Sequence, residues 1–387
     1  MKGVIEAKGI NEAAAYLRTK NLLPISITLK ENTGIANFFN FLNKSNEADL
    51  VFFTRQIASM LTSGLTLVQS LSILKDQVQN PFMAETVSNI LSDIEEGKTF
   101  SFAITKYPNI FTSIYVSLIQ AAETSGLLDK VLFRLAENLE KQQKLKSTIK
   151  GALLYPAIVI TGMIIVMVIM MIFVIPQLSV LYDNLNIPLP LPTKIVVGIS
   201  KFTIVFWPLV FALIVLFIFL YKRWYATESG KLIVDDLTLK TPVFGKIIRQ
   251  SILTEFTRTL GLLIGSGTLI VESLKETSSS AGNILYRSAI EGVSRRVEKG
   301  VGIADAMSVS PLFPPIVVQM VKIGEQTGKV DESLTKLSEY FEREVDQSVK
   351  TLTTAMEPFI MVILGIGVAF LIISIITPIY NLTTAIK

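Results

Sequence analysis

The chain has 387 residues, of which 50% are hydrophobic and only 18% charged; its mean hydropathy is +0.52, so the apolar excess must face something other than water. The formal net charge is +4, and there is neither cysteine nor histidine. These absences exclude disulfides, zinc–thiolate sites and thiol nucleophiles, and remove the commonest general base and metal ligand, which eliminates most hydrolytic chemistry.

Residues 1–45 read as a short N-terminal module and linker. Glu12 to Lys20 is a predicted helix with Ala13, Tyr16 and Leu17 inward, followed by a β-prone stretch from Pro24 to Leu29 and an Asn-rich segment carrying Phe38, Phe39 and Phe41. The stretch from Met1 to Asn21 is polar, which predicts no cleavable signal peptide and an N-terminus on the cytoplasmic side.

Residues 46–156 read as an all-helical cytoplasmic domain of five or six short helices. Leu50, Phe53, Ile57, Met60 and Leu61 recur at helical spacing up to a stop at Ser63-Gly64. Leu67, Leu71 and Leu74 mark a second helix ended by Asn80-Pro81, and Val87, Ile90, Leu91 and Ile94 a third ended by Gly97. Ile114 to Glu123 forms another, broken at Ser125-Gly126, and Asp129 is placed to N-cap a long final helix that runs on toward the membrane.

Three runs then meet the length of a spanning helix, about 20 mainly apolar residues: 157–175, 202–221 and 359–377. All three are free of charge, which buried helices of soluble proteins seldom are. Pro208 in the second predicts a kink rather than a break. Lysines 141, 144, 146 and 150 precede the first run, Lys222 and Arg223 follow the second, and Arg343 and Lys350 precede the third. The positive-inside rule therefore places residues 1–156 and 222–358 in the cytoplasm, with 176–201 as an external loop and 378–387 as an external tail. The lysines read as anchors against membrane lipid. No basic face with interleaved aromatics is present, so no nucleic-acid partner is expected.

The chain repeats itself. Phe53-Thr54-Arg55 matches Phe256-Thr257-Arg258 at an offset of 203 (256 − 53), as do Ser63-Gly64 with Ser266-Gly267, Gly97 with Gly300 and Pro108 with Pro311. One residue is then dropped, and Phe111, Glu123, Gly126 and Asp129 match Phe313, Glu325, Gly328 and Asp331 at 202 (313 − 111). Pro156 and Pro176 match Pro358 and Pro378, so the unit is a cytoplasmic domain plus the membrane helix that follows it. The unpaired second span returns the chain to the cytoplasm. The expected fold is an all-α membrane protein with two duplicated cytoplasmic antiparallel helical bundles plus three transmembrane helices.

With FTRQIASMLTSGLTLVQSL beside FTRTLGLLIGSGTLIVESL, AAETSGLLDKVLFRLAENLE beside IGEQTGKVDESLTKLSEYFE, and Tyr155-Pro156 and Glu357-Pro358 at the membrane boundaries, the chain resembles the inner-membrane platform proteins of type IV pili and type II secretion. The likeness covers residues 46 to 380. It implies six-helix cytoplasmic bundles and a multi-pass protein of the bacterial inner membrane that couples a hexameric assembly ATPase to insertion of pilin-like subunits. It further implies other inner-membrane assembly proteins as partners, a homodimer or homotetramer beneath the hexamer, and no cofactor or catalytic activity. Members usually begin with a longer N-terminal segment, so the expectation is either that part of that module is missing here or that this sequence starts late. A small membrane transporter or a membrane-anchored receptor is the alternative from composition; the spans lack the paired charges and broken helices of transporters.

Seven residues are candidates for function. Glu357 precedes Pro358 where the first copy has Tyr155 before Pro156, and an ionisable side chain at that depth is costly unless paired or near water. It is either a contact for an incoming pilin helix or a side chain snorkelling into the headgroups. Glu123 and Glu325 occupy equivalent helix ends, and Arg55 and Arg258 equivalent places in the first helices. An Arg–Glu bridge inside each bundle is favoured over an ATPase contact. Gly97-Lys98-Thr99 and Gly324 to Lys329 lack the spacing and strand context of a phosphate loop. Gly162, Gly365 and Gly367 offer small faces for helix packing.

Overall fold

The computed structural model describes residues 46–174, 176, 177, 180 and 191–385. The helix expected at 12–20 and the β-prone stretch at 24–29 lie outside the described residues. Among those described, regular structure is entirely helical.

The first copy comprises α1 (Glu47–Thr62), α2 (Leu67–Gln77), α3 (Pro81–Glu95), α4 (Phe100–Thr105), α5 (Ser113–Ser125) and the long α6 (Leu128–Ile169), which continues as a π-helical turn over Met170–Val174. Then come α7 (Leu191–Tyr225) and α8 (Glu228–Lys240). The second copy repeats the six-helix order as α9 (Phe244–Gly265), α10 (Ile270–Ser280), α11 (Ile284–Val297), α12 (Ile303–Ser308), α13 (Pro315–Thr327) and α14 (Val330–Ala385). The duplicated sequence thus folds into duplicated bundles.

Local chemistry sets the boundaries. Thr66 and Gln69 form a reciprocal capping box at the start of α2, and Thr99 and Thr112 accept backbone N–H bonds at the starts of α4 and α5. Gly126 and Gly328 take left-handed conformations with φ of 68° and 69° and close α5 and α13. Two sequence expectations shift here. Asn80 starts α3, its side chain accepting from Phe82 N at 3.0 Å, while α2 already ends at Gln77. Asp129 does not N-cap α6. Leu127 N already bonds Ala122 O at 3.0 Å to close α5, so α6 starts at once and Asp129 falls in its first turn. There its charge still faces the positive helix end.

Each bundle is built on an aromatic trio. Phe53 meets Phe111 with ring centroids 5.5 Å apart, and Phe111 meets Tyr115 at 5.1 Å. In the second copy Phe256 meets Phe313 at 5.5 Å, and Tyr286 meets Phe313 at 6.4 Å. The phenylalanines are repeat-equivalent, whereas the tyrosines come from different helices: Val317 stands where the first copy has Tyr115, and Met83 where the second has Tyr286. Both rings are buried, and each hydroxyl is satisfied. Tyr115 pairs with Thr54 at 3.2 Å, and Tyr286 donates to Leu312 O at 3.2 Å. One core volume is filled from two directions after the duplication.

A charged cluster distinguishes the copies further. Asp93 accepts from Lys98 Nζ at 2.8 Å and Lys106 Nζ at 2.5 Å, whereas the second copy has Arg296, Val301 and Val309 at these places. Hydrogen bonds from Lys106 and then Lys98 hold the Asp93 carboxyl below the usual carboxylate range, and the Lys98 ammonium is pushed up to about 12, chiefly by Asp93. A depressed folded-state pKa gives stability that is present above the unfolded value of about 4 and lost as pH falls through the folded one. Asp93→Asn should therefore lower the melting temperature of the full chain at neutral pH. The gap to the parent should close as the buffer is taken below about pH 4; an equal gap at both pH values would contradict this.

Two helical stretches among the described residues are long and apolar enough to cross a membrane, Leu128–Val174 and Val330–Phe370. They contain the first span and most of the third, each as the far part of a helix that starts inside a bundle. The 35-residue α7 contains the second apolar run, is unbroken at Pro208, and exposes Leu209 and the apolar side chains from Phe211 to Leu220. It begins at Leu191, so the last part of the expected loop 176–201 is helical. Likewise α14 carries its helix through most of the tail, to Ala385.

Candidate functional site

The feature that joins bundle to membrane is the pair of long helices. At a rise of 1.5 Å per residue, the 42 residues of α6 span about 60 Å and the 56 of α14 about 80 Å. Neither breaks between its bundle core and its apolar part. Leu132 and Leu135 of α6 sit in the first core, and Leu334, Leu337 and Phe341 of α14 in the second.

The two copies meet along these helices. Leu145 of α6, Ile247 of α9, and Val345, Val349 and Leu352 of α14 form a separate buried cluster, with Ile149, Ala152 and Met356 packed against it. Because Ala152 and Met356 stand just before Pro156 and Pro358, the clamp lies where the apolar runs of the two helices begin. Farther from it the contacts become polar. Lys141 reaches Glu339 at 3.8 Å, Gln142 Nε2 donates to Glu255 at 2.6 Å, and Arg134 donates to Gly265 O at 2.9 Å. Beyond the boundary, α14 and α6 approach at Gly367, where an added Cβ would lie 3.3 Å from Met163 Sδ. Of the three glycines singled out for helix packing only Gly367 makes such an approach; a Cβ at Gly162 or Gly365 would meet nothing within 4 Å.

Glu123 and Glu325 are brought to equivalent places and do equivalent work, but not as partners of the arginines. Glu123 on α5 accepts from the backbone N–H of Phe100, from Ser101 N at 3.0 Å and from the Ser101 hydroxyl. Glu325 on α13 accepts from Ile303 N at 2.5 Å and Ala304 N at 2.9 Å. Each carboxylate caps the six-residue helix α4 or α12 from across the bundle, meeting its orphan donors and its positive end. A helix this short is marginal alone, so the distant cap fixes it to the fold.

The arginines pair with other glutamates. Arg55 Nε donates to Glu140 at 2.5 Å, a second bond joins Arg55 to Glu140, and Arg258 pairs with Glu342 at 2.6 Å. Glu140 and Glu342 are themselves repeat-equivalent, so the bridge is duplicated. Sequence spacing favoured Glu123 and Glu325, but those side chains are already engaged by backbone donors. The bridges differ in surroundings. Side-chain exposure is 27% and 42% for Arg55 and Glu140, but 7% and 16% for Arg258 and Glu342. Arg134, Glu137 and Lys141 of α6 line one wall of a cleft that also reaches Arg258. Burial pushes the Arg258 guanidinium down against the pull of Glu342, whereas the hydrogen bond to Glu140 raises Arg55.

At the boundary, Pro156 is buried and Pro358 exposed, both inside continuous helix. Each lacks an N–H, so the carbonyls of Ala152 and Thr354 lose their helical partner at the same level. Glu357 is exposed and has no side-chain hydrogen bond or ion pair among the described residues. No cluster of three or more acidic residues that would hold a metal occurs among the described residues. A polar cleft of about 440 Å³ between the copies is lined by Asn46, Asn138, Gln142, Lys146, Glu255 and Thr259.

The profile of the family described as "Type II secretion system (T2SS), protein F" matches residues 53–176 and 256–378, the two bundles with the spans that follow them. The chain belongs to this family. Relatives include "Type IV pilus assembly protein TapC" of Aeromonas hydrophila, 36% identical over 383 residues, covering 99% of this chain and 92% of that one. "Type IV pilus assembly protein PilC" of Thermus thermophilus is 35% identical over 387 residues, covering 99% and 95%. "Type II secretion system protein F" of Aeromonas hydrophila is 27% identical over 387 residues, covering 99% of both. The family resemblance drawn from the duplicated motifs therefore holds over the whole chain, and the relatives are named for type IV pilus assembly and type II secretion.

Proposed function

We propose that this family member is a non-enzymatic inner-membrane platform that couples a cytoplasmic assembly ATPase to the insertion of pilin-like subunits. In this reading it crosses the membrane three times, with the N-terminus and both bundles in the cytoplasm. One observation carries the reading: both bundles run without a break into membrane-spanning helix, and the two helices are clamped together just beneath the boundary. A packed helix bundle does not deform continuously. Tilting either bundle therefore tilts its span, and the clamp makes the other follow. A push delivered by a cytoplasmic motor reaches the bilayer as a displacement of α6 and α14 together, with no chemistry in the platform itself.

Glu357, exposed on α14 at the boundary and without a partner of its own, is placed to meet a cationic or amide group on an incoming subunit. Glu357→Gln should abolish filament or pseudopilus assembly in the native host at unchanged protein level, and normal assembly would remove Glu357 from the mechanism. The wider reading is tested by mild-detergent purification of the tagged chain from native membranes. Co-recovery of an assembly ATPase and a pilin-like subunit is expected; a transported small molecule's partner proteins in their place would overturn it.

A further inference from the structure

Helix α8 has no counterpart among the six helices of the described first copy, and one of its faces is unused. Leu232, Ile233 and Leu237 are 48%, 53% and 64% exposed, and Val243 and Phe244 just beyond the helix are 52% and 43% exposed. Isolated exposed apolar residues are ordinary, but five within 13 consecutive positions form a patch that asks for a partner.

The remainder of the segment is firmly held. Leu239 enters the second core, and the buried Asp235 accepts from Ile284 N at 2.8 Å, tying α8 to the start of α11. Tyr225 at the end of α7 reaches Asp235 at 3.5 Å. Gly230 lies so close to Trp224 that an added Cβ would be 2.1 Å from its carbonyl oxygen. After α8 the chain makes a strained turn in which Phe244 N bonds Pro242 O at 2.8 Å and Val243 takes φ 66°, a conformation costly for a β-branched residue. That turn leaves the Val243 and Phe244 side chains outside the core.

We infer that α8 and the Val243–Phe244 turn dock on the inner leaflet beside the cytoplasmic end of α7, with anionic lipid headgroups as their partner; this rests on the three-span reading above. The position follows from α7, whose exposed apolar run ends in the aromatic group Tyr221, Trp224 and Tyr225, residue types that settle at the membrane–water boundary. Helix α8 starts at Glu228, three residues after Tyr225, and its contacts with Trp224 and Tyr225 keep it at that level. Charge selects the lipid. Lys222, Arg223, Lys231, Lys240 and Lys246 outnumber the outward Glu228 and Asp236. The Asp236–Lys240 ion pair, at 2.6 Å, lies on the same face as the leucines and fixes the helix at headgroup depth, where the pair stays hydrated. The docked segment would hold the second bundle at a set angle to the bilayer, because Asp235 and Leu239 bind α8 to that bundle's core.

The chain has no cysteine, so single cysteine reporters can be introduced without removing others. Nitroxide labels at Leu237→Cys, Phe244→Cys, Phe217→Cys in α7 and Ile323→Cys on exposed α13 are read in the full-length protein. The bilayers are phosphatidylcholine vesicles with and without phosphatidylglycerol, and depth is measured from collisions with oxygen against a water-soluble nickel chelate. The labels at 237 and 244 should report a depth of about 5–10 Å below the headgroup surface, deeper with phosphatidylglycerol, while 323 reads as aqueous. Aqueous readings at 237 and 244 with a bilayer reading at 217 would overturn the inference and leave the topology intact. Dipolar broadening at 237 would show a second copy on this face and also overturn it. An aqueous reading at 217 would bring down the three-span topology and the inference together.

Discussion

Arg258→Ala should destabilise the protein by about 3–5 kcal/mol, whereas Arg55→Ala should cost about 1 kcal/mol or less. The two arginines occupy the same place in the repeat and make the same bridge, so the comparison isolates surroundings from chemistry. Removing Arg258 strands the Glu342 carboxylate, whose side chain is only 16% exposed, without its partner. Removing Arg55 leaves Glu140 largely hydrated, and Phe133, over which the guanidinium sits at 5.2 Å, is already partly exposed. Thermal unfolding of the full chain in detergent, followed by helix signal, should place the Arg258→Ala midpoint well below that of Arg55→Ala. The double change Arg258→Met with Glu342→Leu should recover most of the loss, because a buried ion pair contributes little beyond what an apolar pair of similar volume supplies. Equal midpoints for the two alanine variants would mean that burial does not set the worth of the second bridge.

Much of this architecture is legible in the sequence because its signals are local or periodic. The three charge-free runs, the glycines that end helices and the offset between Phe53-Thr54-Arg55 and Phe256-Thr257-Arg258 each carry their meaning without knowledge of the fold. What escapes depends on distance in space. Glu123 and Glu325 stand out as equivalent, yet nothing in their spacing says that they reach across to the backbone of α4 and α12. The bridge partners Glu140 and Glu342 lie on the long helices among many other charges, and only the exchange of repeat-equivalent pairs would single them out. The tyrosine swap between Tyr115 and Tyr286 is invisible to alignment because the positions do not align. Helix α8 is masked by its own composition. Leu232, Ile233 and Leu237 point away from the core and only Leu239 enters it, so its apolar residues do not repeat as a core stripe.

Interrupting α6 between Lys150 and Gly151 with a short Gly-Ser insert should abolish filament or pseudopilus assembly while leaving both bundles folded. Leu145 and Ile149, the main α6 residues of the clamp, lie on the bundle side of this point, with Ala152 at the clamp's edge and the apolar run beyond it. A flexible insert therefore leaves the cores intact and removes only the stiffness that carries a tilt across the boundary. The control is an insert of four alanines, which adds about one helical turn and keeps the helix continuous at nearly the same rotation. That variant lengthens the lever by about 6 Å without loosening it and should keep most of the activity. Membrane level and bundle folding, the latter by limited proteolysis, should match the parent for both variants. Loss with the flexible insert and retention with the helical one would tie assembly to rigid transmission through α6. Retention with both would mean that the bundles act on their partners without moving the spans, and the platform would then work by docking alone.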